Sequence, residues 1–559
     1  MEIIQILITL GILMVLVIPM GKYLSKVISG EKSFIDPCFD RIDGVIYKLT
    51  GIKKSEMNWK QYAVSLVATN LIMVLLVYIL FRLQGALVLN PSGNKSMNPL
   101  LALNTAISFI TNTNLQHYSG EWGMTYFTQM AAVTFLMFTS AASGFSVAAA
   151  FIRGITGKSE TVGNFFVDMV RVITRVLLPL SIIVTLILVW QGVPQTLVGT
   201  KTITTLQGSY QDIPLGPVAS MESIKHLGTN GGGFFGANSA HPFENPTPFS
   251  NLIEIISMML IPASLVYAFG IMLKNKKQAW VLFAAMLVLF LISLPVCYFS
   301  EAGGNPILAD AGLSQSMGNM EGKEVRFGIG QSSLFTTVTT AFTTGSVNNM
   351  HDSLTPLGGL VPLFQMMLNV VFGGEGVGFM NIIMYAILAV FLSGLMVGRT
   401  PEFLGKKIEG REMKLIAIAI LIHPFIILMP TAISLISHQG LSAITNPGFH
   451  GLSQVLYEFT SSAANNGSGF EGLVDNTPFW NILTAIVMSA GRYLSIIILL
   501  AVAGSLASKR LIPAGIGTFR TDKTIFAFIL VAVVLIVGAL TFFPALALGP
   551  IAEQLTLGK

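Results

Sequence analysis

Long apolar runs separated by short polar loops dominate the chain. Ten of them approach or exceed the roughly 20 residues that a helix needs to cross hydrocarbon. They cover residues 3–20, 62–84, 124–151, 172–190, 252–273, 279–299, 361–397, 415–435, 479–506 and 525–543. Four further apolar stretches, 98–111, 218–228, 331–343 and 451–464, are too short to span and read as re-entrant half-helices. Each begins near a residue suited to cap a helix: Asn98 before Pro99, Ser220, Ser332 and Ser453. Each then runs into a tract of Thr, Asn, Ser and Gly. The tracts are Thr111-Asn112-Thr113-Asn114, Thr229-Asn230-Gly231-Gly232-Gly233, Thr344-Gly345-Ser346-Val347-Asn348 and Asn465-Asn466-Gly467-Ser468-Gly469. Polar loops of this composition are common singly. Four of them, each between two spans and recurring at roughly 115–120 residues, read as an internal repeat. The predicted fold is an all-α polytopic membrane protein. Four M1-P-M2 units (membrane helix, pore loop, membrane helix) surround a pseudo-fourfold pore.

Composition agrees with a chain immersed in lipid. Of 559 residues, 53% are hydrophobic and only 11% are charged, against about a quarter charged in soluble domains. Cys38 and Cys297 lie far apart and read as two free thiols, with neither a disulfide framework nor a metal site. The first apolar run follows Glu2 and has no basic n-region, so it reads as a retained helix rather than a cleaved leader.

The net charge of +5 changes the picture only through its distribution. The stretches 21–60, 152–175, 274–278, 399–414 and 508–523 hold eight, four, three, five and four of the 32 Lys and Arg residues. They are alternate loops, which marks them as cytoplasmic and puts both termini outside. Nothing in this pattern forms a nucleic-acid surface. Arg82, Lys95, Lys201, Lys225, Lys323, Arg326 and Lys559 fall on the opposite side, and Arg492 alone falls inside a span. The resulting units are an extra helix and loop at 1–60, repeats at 61–151, 152–273, 274–398 and 399–508, and a loop and last helix at 509–559.

Irregular backbone at membrane depth is tolerated only inside protein or along a wet cavity. Four such tracts converging on one axis can replace the hydration shell of a cation with oxygens, as potassium filters do. Half-helices entering from outside aim their negative C-terminal ends at that axis. None of the tracts contains Asp or Glu, which favours a weakly hydrated monovalent ion over a divalent one.

Two features concern what lies below. The seventh apolar run is too long for one straight crossing and carries Phe372-Gly373-Gly374-Glu375-Gly376-Val377-Gly378 at its middle. Such a Gly run breaks a helix; it forms either a gating loop or a packing kink. Glu375 within it either attracts a cation or sits at a wet helix end. Arg492 requires a carbonyl or acidic partner, and either opposes leakage beneath the filter or braces helix ends. Gly157-Lys158-Ser159 lacks the first glycine of a phosphate-binding loop, because Ile152 stands there. Asp522-Lys523-Thr524 resembles a pump phosphorylation motif but continues with Ile525-Phe526. No ATP-hydrolysing signature is present. An enzyme acting on lipid would require clustered acids, His or nucleophiles in the membrane, and the sequence pattern presents none. A self-sufficient potassium symporter or channel stays open.

Leu227-Gly228-Thr229-Asn230-Gly231-Gly232-Gly233-Phe234-Phe235, followed by Asn238-Ser239-Ala240-His241-Pro242-Phe243-Glu244-Asn245-Pro246, resembles the second pore region of the KdpA family. The other three tracts resemble the family's other three pore regions, and Gly398-Arg399-Thr400-Pro401-Glu402-Phe403 its turn after the third repeat. The resemblance covers nearly the whole chain. It implies the potassium-binding, channel-like subunit of an ATP-driven importer in the bacterial plasma membrane. Its partners would be a P-type ATPase subunit, KdpB, a single-span KdpC and a small KdpF, with ATP hydrolysed in KdpB. Potassium would be the only ion bound, and no organic cofactor is implied. The filter would be built from Thr111, Asn112, Thr113, Asn114, Thr229, Asn230, Gly231, Gly232, Thr344, Gly345, Ser346, Asn465, Asn466, Gly467 and Ser468. Gln116 and Asn238 would support it, and Gly373, Gly374, Glu375, Gly376, Arg399 and Arg492 would serve gating or coupling. The ion would leave sideways through an intersubunit tunnel. Leu115 and Asn369 depart from the aromatic and the acid that some members carry there.

Overall fold

The computed structural model describes residues 2–157, 159–398, 400–512 and 519–557. Among these, ten helices are long and apolar enough to cross a membrane. Four helix–half-helix–helix units follow one another. The first comprises Trp59–Leu83, Pro99–Ile110 and Tyr126–Thr156; the second, Phe165–Gln191, Val218–Leu227 and Pro248–Met272. The third comprises Lys276–Ala302, Gly328–Ala341 and a broken arm, Pro356–Leu368 then Val377–Val397. The fourth comprises Gly410–Ile436, Phe449–Ala464 and Pro478–Ala507. Helices Glu2–Ser29 and Thr524–Leu546 flank them.

Burial sorts these helices into centre and rim. Tyr126–Thr156 is 89% buried along its most apolar window, whereas Glu2–Ser29 and Trp59–Ala86 are 22% buried. The outer helices expose Leu, Ile and Val side chains such as Val15 and Val64, which a bilayer solvates and water would not. The half-helices are the reverse. Ser332, Thr336, Thr340, Glu222, Gln454 and Thr460 are fully buried in them, so the polar part of the molecule is its core.

Capping departs from expectation at three of four half-helices. Asn98 does cap, accepting from the Leu100 amide. Ser220, Ser332 and Ser453 do not, because their helices begin earlier, after Pro217, Phe327 and Gly448. In the second, Gln195 from a neighbouring segment accepts from the Ser220 amide at 2.9 Å and so supplies the cap. Ser453 Oγ instead donates to Phe449 O.

Arg492 is not the sole arginine inside a span. The run 172–190 itself contains Arg175, which lies within the helix Phe165–Gln191 and is buried. Asp36, Asp40 and Asp43 surround that guanidinium at 3.0, 2.6 and 2.5 Å. All three lie on Asp36–Thr50, an amphipathic helix too polar to register as an apolar run. A hairpin, Lys201–Thr204 with Tyr210–Ile213, likewise escapes the apolar pattern. Cys38 and Cys297 are free thiols, as expected.

Candidate functional site

All four half-helices end in the same way. The amides of Thr113, Asn230, Thr344 and Asn466 donate to the carbonyls five residues earlier: Ser108, Lys225, Thr339 and Ser461. The preceding residues, Asn112, Thr229, Thr343 and Asn465, all have positive φ, between 44° and 63°. This is the helix-terminating arrangement usually completed by Gly. Here no Gly is used. Asn tolerates the left-handed region, but a β-branched Thr is strained there.

After this stop the tracts meet edge to edge in a closed ring. Asn112 Nδ2 donates to Thr229 O at 2.8 Å, joining the first tract to the second. Gly231 lies against the Thr344 carbonyl, Gly345 against that of Asn466, and Gly467 against that of Thr113. A Cβ at any of these three glycines would overlap the neighbour's carbonyl oxygen. The equivalent position of the first tract is Asn114, whose buried amide has no hydrogen-bond partner among the described residues.

The other asparagines brace rather than point free. Asn230 Nδ2 donates to Ile224 O, Asn465 Nδ2 to Thr113 Oγ1 and Met488 O, and Asn466 Nδ2 to Thr339 O. Ser468 Oγ donates to Asn466 Oδ1. Thr111 Oγ1 bonds back to its own helix. Gln116 and Gly233 pair reciprocally, Oε1 accepting from the amide at 2.8 Å and Nε2 donating to the carbonyl at 3.0 Å. Asn238 ties Gly231 O to Ser346 Oγ and the Val347 amide. Gly232 packs against Phe109 and Asn114.

On one side of the ring is a cavity of about 500 Å³ lined by Asn114, Gly231, Gly345 and Gly467, one residue from each tract, with Glu471 and Asp475 on its wall. On the other side sits the break in the seventh run. Gly373 and Gly376 have positive φ there, as do Asn369 and Phe372. The Glu375 amide donates to Thr229 Oγ1 at 3.0 Å, and Gly374 faces Thr343 Oγ1. The loop is thus held against the underside of the second and third tracts. Glu375 is buried, with no partner for its carboxylate oxygens among the described residues; it is not at a wet helix end. Arg492 Nη2 donates to Ser140 O and, with Glu375, crowds the space beside Gly144. Below lies a cavity of about 700 Å³ that includes Asn369, Asn381, Asn465 and Arg492. Arg399 lies outside the described residues.

Sequence reasoning missed the charged groups behind the ring. Lys225 is wholly buried between Glu222 and Glu244, at 2.8 and 2.7 Å, so it is not an outside-loop lysine. His226 Nε2 meets Ser346 Oγ at 2.9 Å, with Glu254 beyond it. His117 sits among Glu458, Asp475 and Asn481. Clustered acids and His therefore do occur within the protein. The i, i+3 and i, i+4 spacing of Glu222, Lys225 and His226 was a usable signal; Glu244 and Glu254 offered none.

Comparison with known proteins agrees with this architecture. The family model described as "Potassium-transporting ATPase A subunit", KdpA, matches residues 7–555. A protein of Clostridium acetobutylicum called "Potassium-transporting ATPase potassium-binding subunit" is 62% identical over 558 residues, covering 100% of both chains. Proteins of the same name from Geobacillus kaustophilus and Caldanaerobacter subterraneus are 61% and 55% identical, covering 98% and 99% of both chains. The crystal structure of the potassium transporter TrkH from Vibrio parahaemolyticus superposes with a TM-score of 0.50 at 15% identity, over 78% of this chain and 84% of that one, a likeness of fold. On this match the chain belongs to the KdpA family of potassium-transporting ATPase A subunits.

Proposed function

We infer that this protein is the potassium-binding, channel-like subunit of an ATP-driven potassium transporter. The observation that carries the reading is the closed, uncharged ring of four tracts, in a chain of this family. Most Asn, Ser and Thr side chains of the ring are committed to bracing it, which leaves backbone carbonyls, aided by the Thr344 hydroxyl and the Asn114 amide that have no partner among the described residues, to coordinate a dehydrated cation. The cavity bearing Glu471 and Asp475 is its outer vestibule, and both termini lie on that side of the bacterial plasma membrane. Gly373–Gly376 closes the straight path below the ring. The cavity by Asn369 and Arg492 starts a sideways route toward a P-type ATPase subunit of the KdpB kind, which hydrolyses ATP; KdpC and KdpF complete the complex. No organic cofactor takes part. This family reading is preferred to a self-sufficient symporter.

The test is reconstitution. Potassium should stimulate ATP hydrolysis by the purified complex, with loss of that response when ring residues such as Gly232 are changed to Asp. Full uptake by this chain alone in a potassium-deficient strain would overturn the reading.

A further inference from the structure

Helix Glu2–Ser29 is held tightly near both ends, and one side of its middle lacks a close helical neighbour. At its start, Glu2 packs against Gly330 and accepts from Tyr298 Oη at 3.1 Å. Toward its end, Gly21 lies against Ser264 O and the Tyr267 ring, so close that a Cβ would stand 2.8 Å from each. Between these contacts the helix packs on Pro248–Met272, burying Thr9, Leu13 and Val17, but stands off from Lys276–Ala302, leaving a side-opening slot. Leu7, Leu10, Gly11 and Met14 form its near wall, at one-face helical spacing. Every lining residue is apolar.

Gly11 has no packing reason to be glycine. A Cβ there would meet nothing within 4 Å, in contrast to Gly21. A glycine inside an apolar helix is less favourable than Ala, so its effect at this position is to keep the slot open. Leu7 and Leu291 at the rim are 63% and 45% exposed, so the mouth faces the bilayer. The floor is Phe342 and Phe372. These rings stack at 4.8 Å with planes 2° apart, and Phe283 packs edge-on against Phe372 at 5.0 Å. Phe342 lies two residues before the third tract, and Phe372 immediately precedes Gly373.

We propose that this slot is a lipid site that admits one acyl chain of a bilayer phospholipid and brings it against the Phe342–Phe372 stack. The Glu2–Tyr298 contact closes one end of the slot, and its mouth opens among bilayer-facing side chains, so an unbranched flexible chain can enter from the side. Its walls make no hydrogen bonds to a ligand, which suits a hydrocarbon tail whose headgroup stays at the membrane surface. The tail would tighten the stack that joins the third tract to the loop beneath the ring. That last effect rests on reading the loop as a gate; the site itself does not.

The experiment uses the intact complex in vesicles containing a phospholipid with a diazirine midway along one chain. Photolysis and peptide mass spectrometry should place adducts on Phe283, Phe342 or Phe372. Gly11→Phe, whose Cβ meets nothing within 4 Å, should lose these adducts, while Val15→Phe on the outward face keeps them. Adducts confined to outward positions, adducts unchanged in Gly11→Phe, or a partner segment crosslinked in the slot would each overturn the site. Potassium turnover is the second readout. Gly11→Phe should lower it with no change in half-saturating potassium. Lost adducts with unaltered turnover would leave the lipid site standing and remove its link to the gate.

Discussion

The backbone amide of Glu375 donates to Thr229 Oγ1 at 3.0 Å, and this bond joins the loop of the seventh run to the second tract above it, beside the Gly373 amide's bond to Ala341 O of the third half-helix. It also accounts for an unfavourable residue. Thr229 has φ +47°, where a β-branched side chain is strained by about 1–3 kcal/mol. Gly would fit without strain but would offer no hydroxyl. The strain is thus retained where the hydroxyl is used. Thr229→Gly should therefore leave the complex as stable as before or more so, while raising passive potassium leak through vesicles lacking ATP. Unchanged leak with intact stability would mean that the loop is held by its own packing.

Gln116 and Gly233 form a second cross-link, between the first and second repeats. Each hydrogen bond contributes about 1 kcal/mol. Gln116→Leu removes both while keeping the shape of the side chain. Half-saturating potassium should rise by about tenfold or more, since about 1.4 kcal/mol is tenfold in an equilibrium constant. The maximal rate should change less, because the loop and Arg492 are untouched. A fall in rate with affinity preserved would place Gln116 outside the binding ring.

The spans and the four tracts were legible because lipid imposes a length and a composition on every crossing, and because the repeats share one plan. Gly231, Gly345 and Gly467 stand out for the same reason: each meets a carbonyl that excludes a side chain. The half-helix starts were less legible. A cap can come from afar, as Gln195 does for Ser220, and local sequence carries no trace of it. Thr229 and Thr343 were invisible as helix stops, since propensity argues against them and only the contact with the loop explains them. The network of Glu222, Lys225, Glu244 and His226 was not legible, because sequence gives spacing along a helix and not which distant residues close around it.

Arg492 and Glu375 face the same narrow space beside Gly144, and neither has a conventional ion pair within the described residues. When Glu375 is ionised, the Arg492 guanidinium offsets its charge in a medium where an isolated one is costly. Arg492→Gln would leave Glu375 uncompensated below the ring and remove the donor to Ser140 O. External potassium should still bind, measured as protection of the ring against a thiol reagent at an introduced Asn114→Cys. ATP-driven transport should fall several-fold. Restoration of transport in Arg492→Gln by Glu375→Gln would show that charge balance is the cause; no restoration would assign Arg492 to bracing helix ends.

External pH should act through the vestibule wall. Burial raises the Asp475 carboxyl to about 6, the His117 imidazolium holding it down and Glu458 pushing it up. His117 is displaced the other way from what burial favours. Asp475 and Glu458 outweigh burial and carry it to about 9, so it stays cationic at neutral pH. The sign follows directly. Above the Asp475 value the wall bears its negative charge and concentrates cations at the ring. As external pH falls through about 6, that charge is lost while His117 stays positive, and the attraction weakens. Half-saturating potassium should therefore rise as the outside is acidified across that value, with the inside held neutral. Asp475→Asn should show the weaker affinity at every pH and a flatter profile. The check is potassium-stimulated transport in right-side-out vesicles. A wild-type affinity that does not move with external pH, or an Asp475→Asn profile as steep as wild type, would place the titrating group elsewhere.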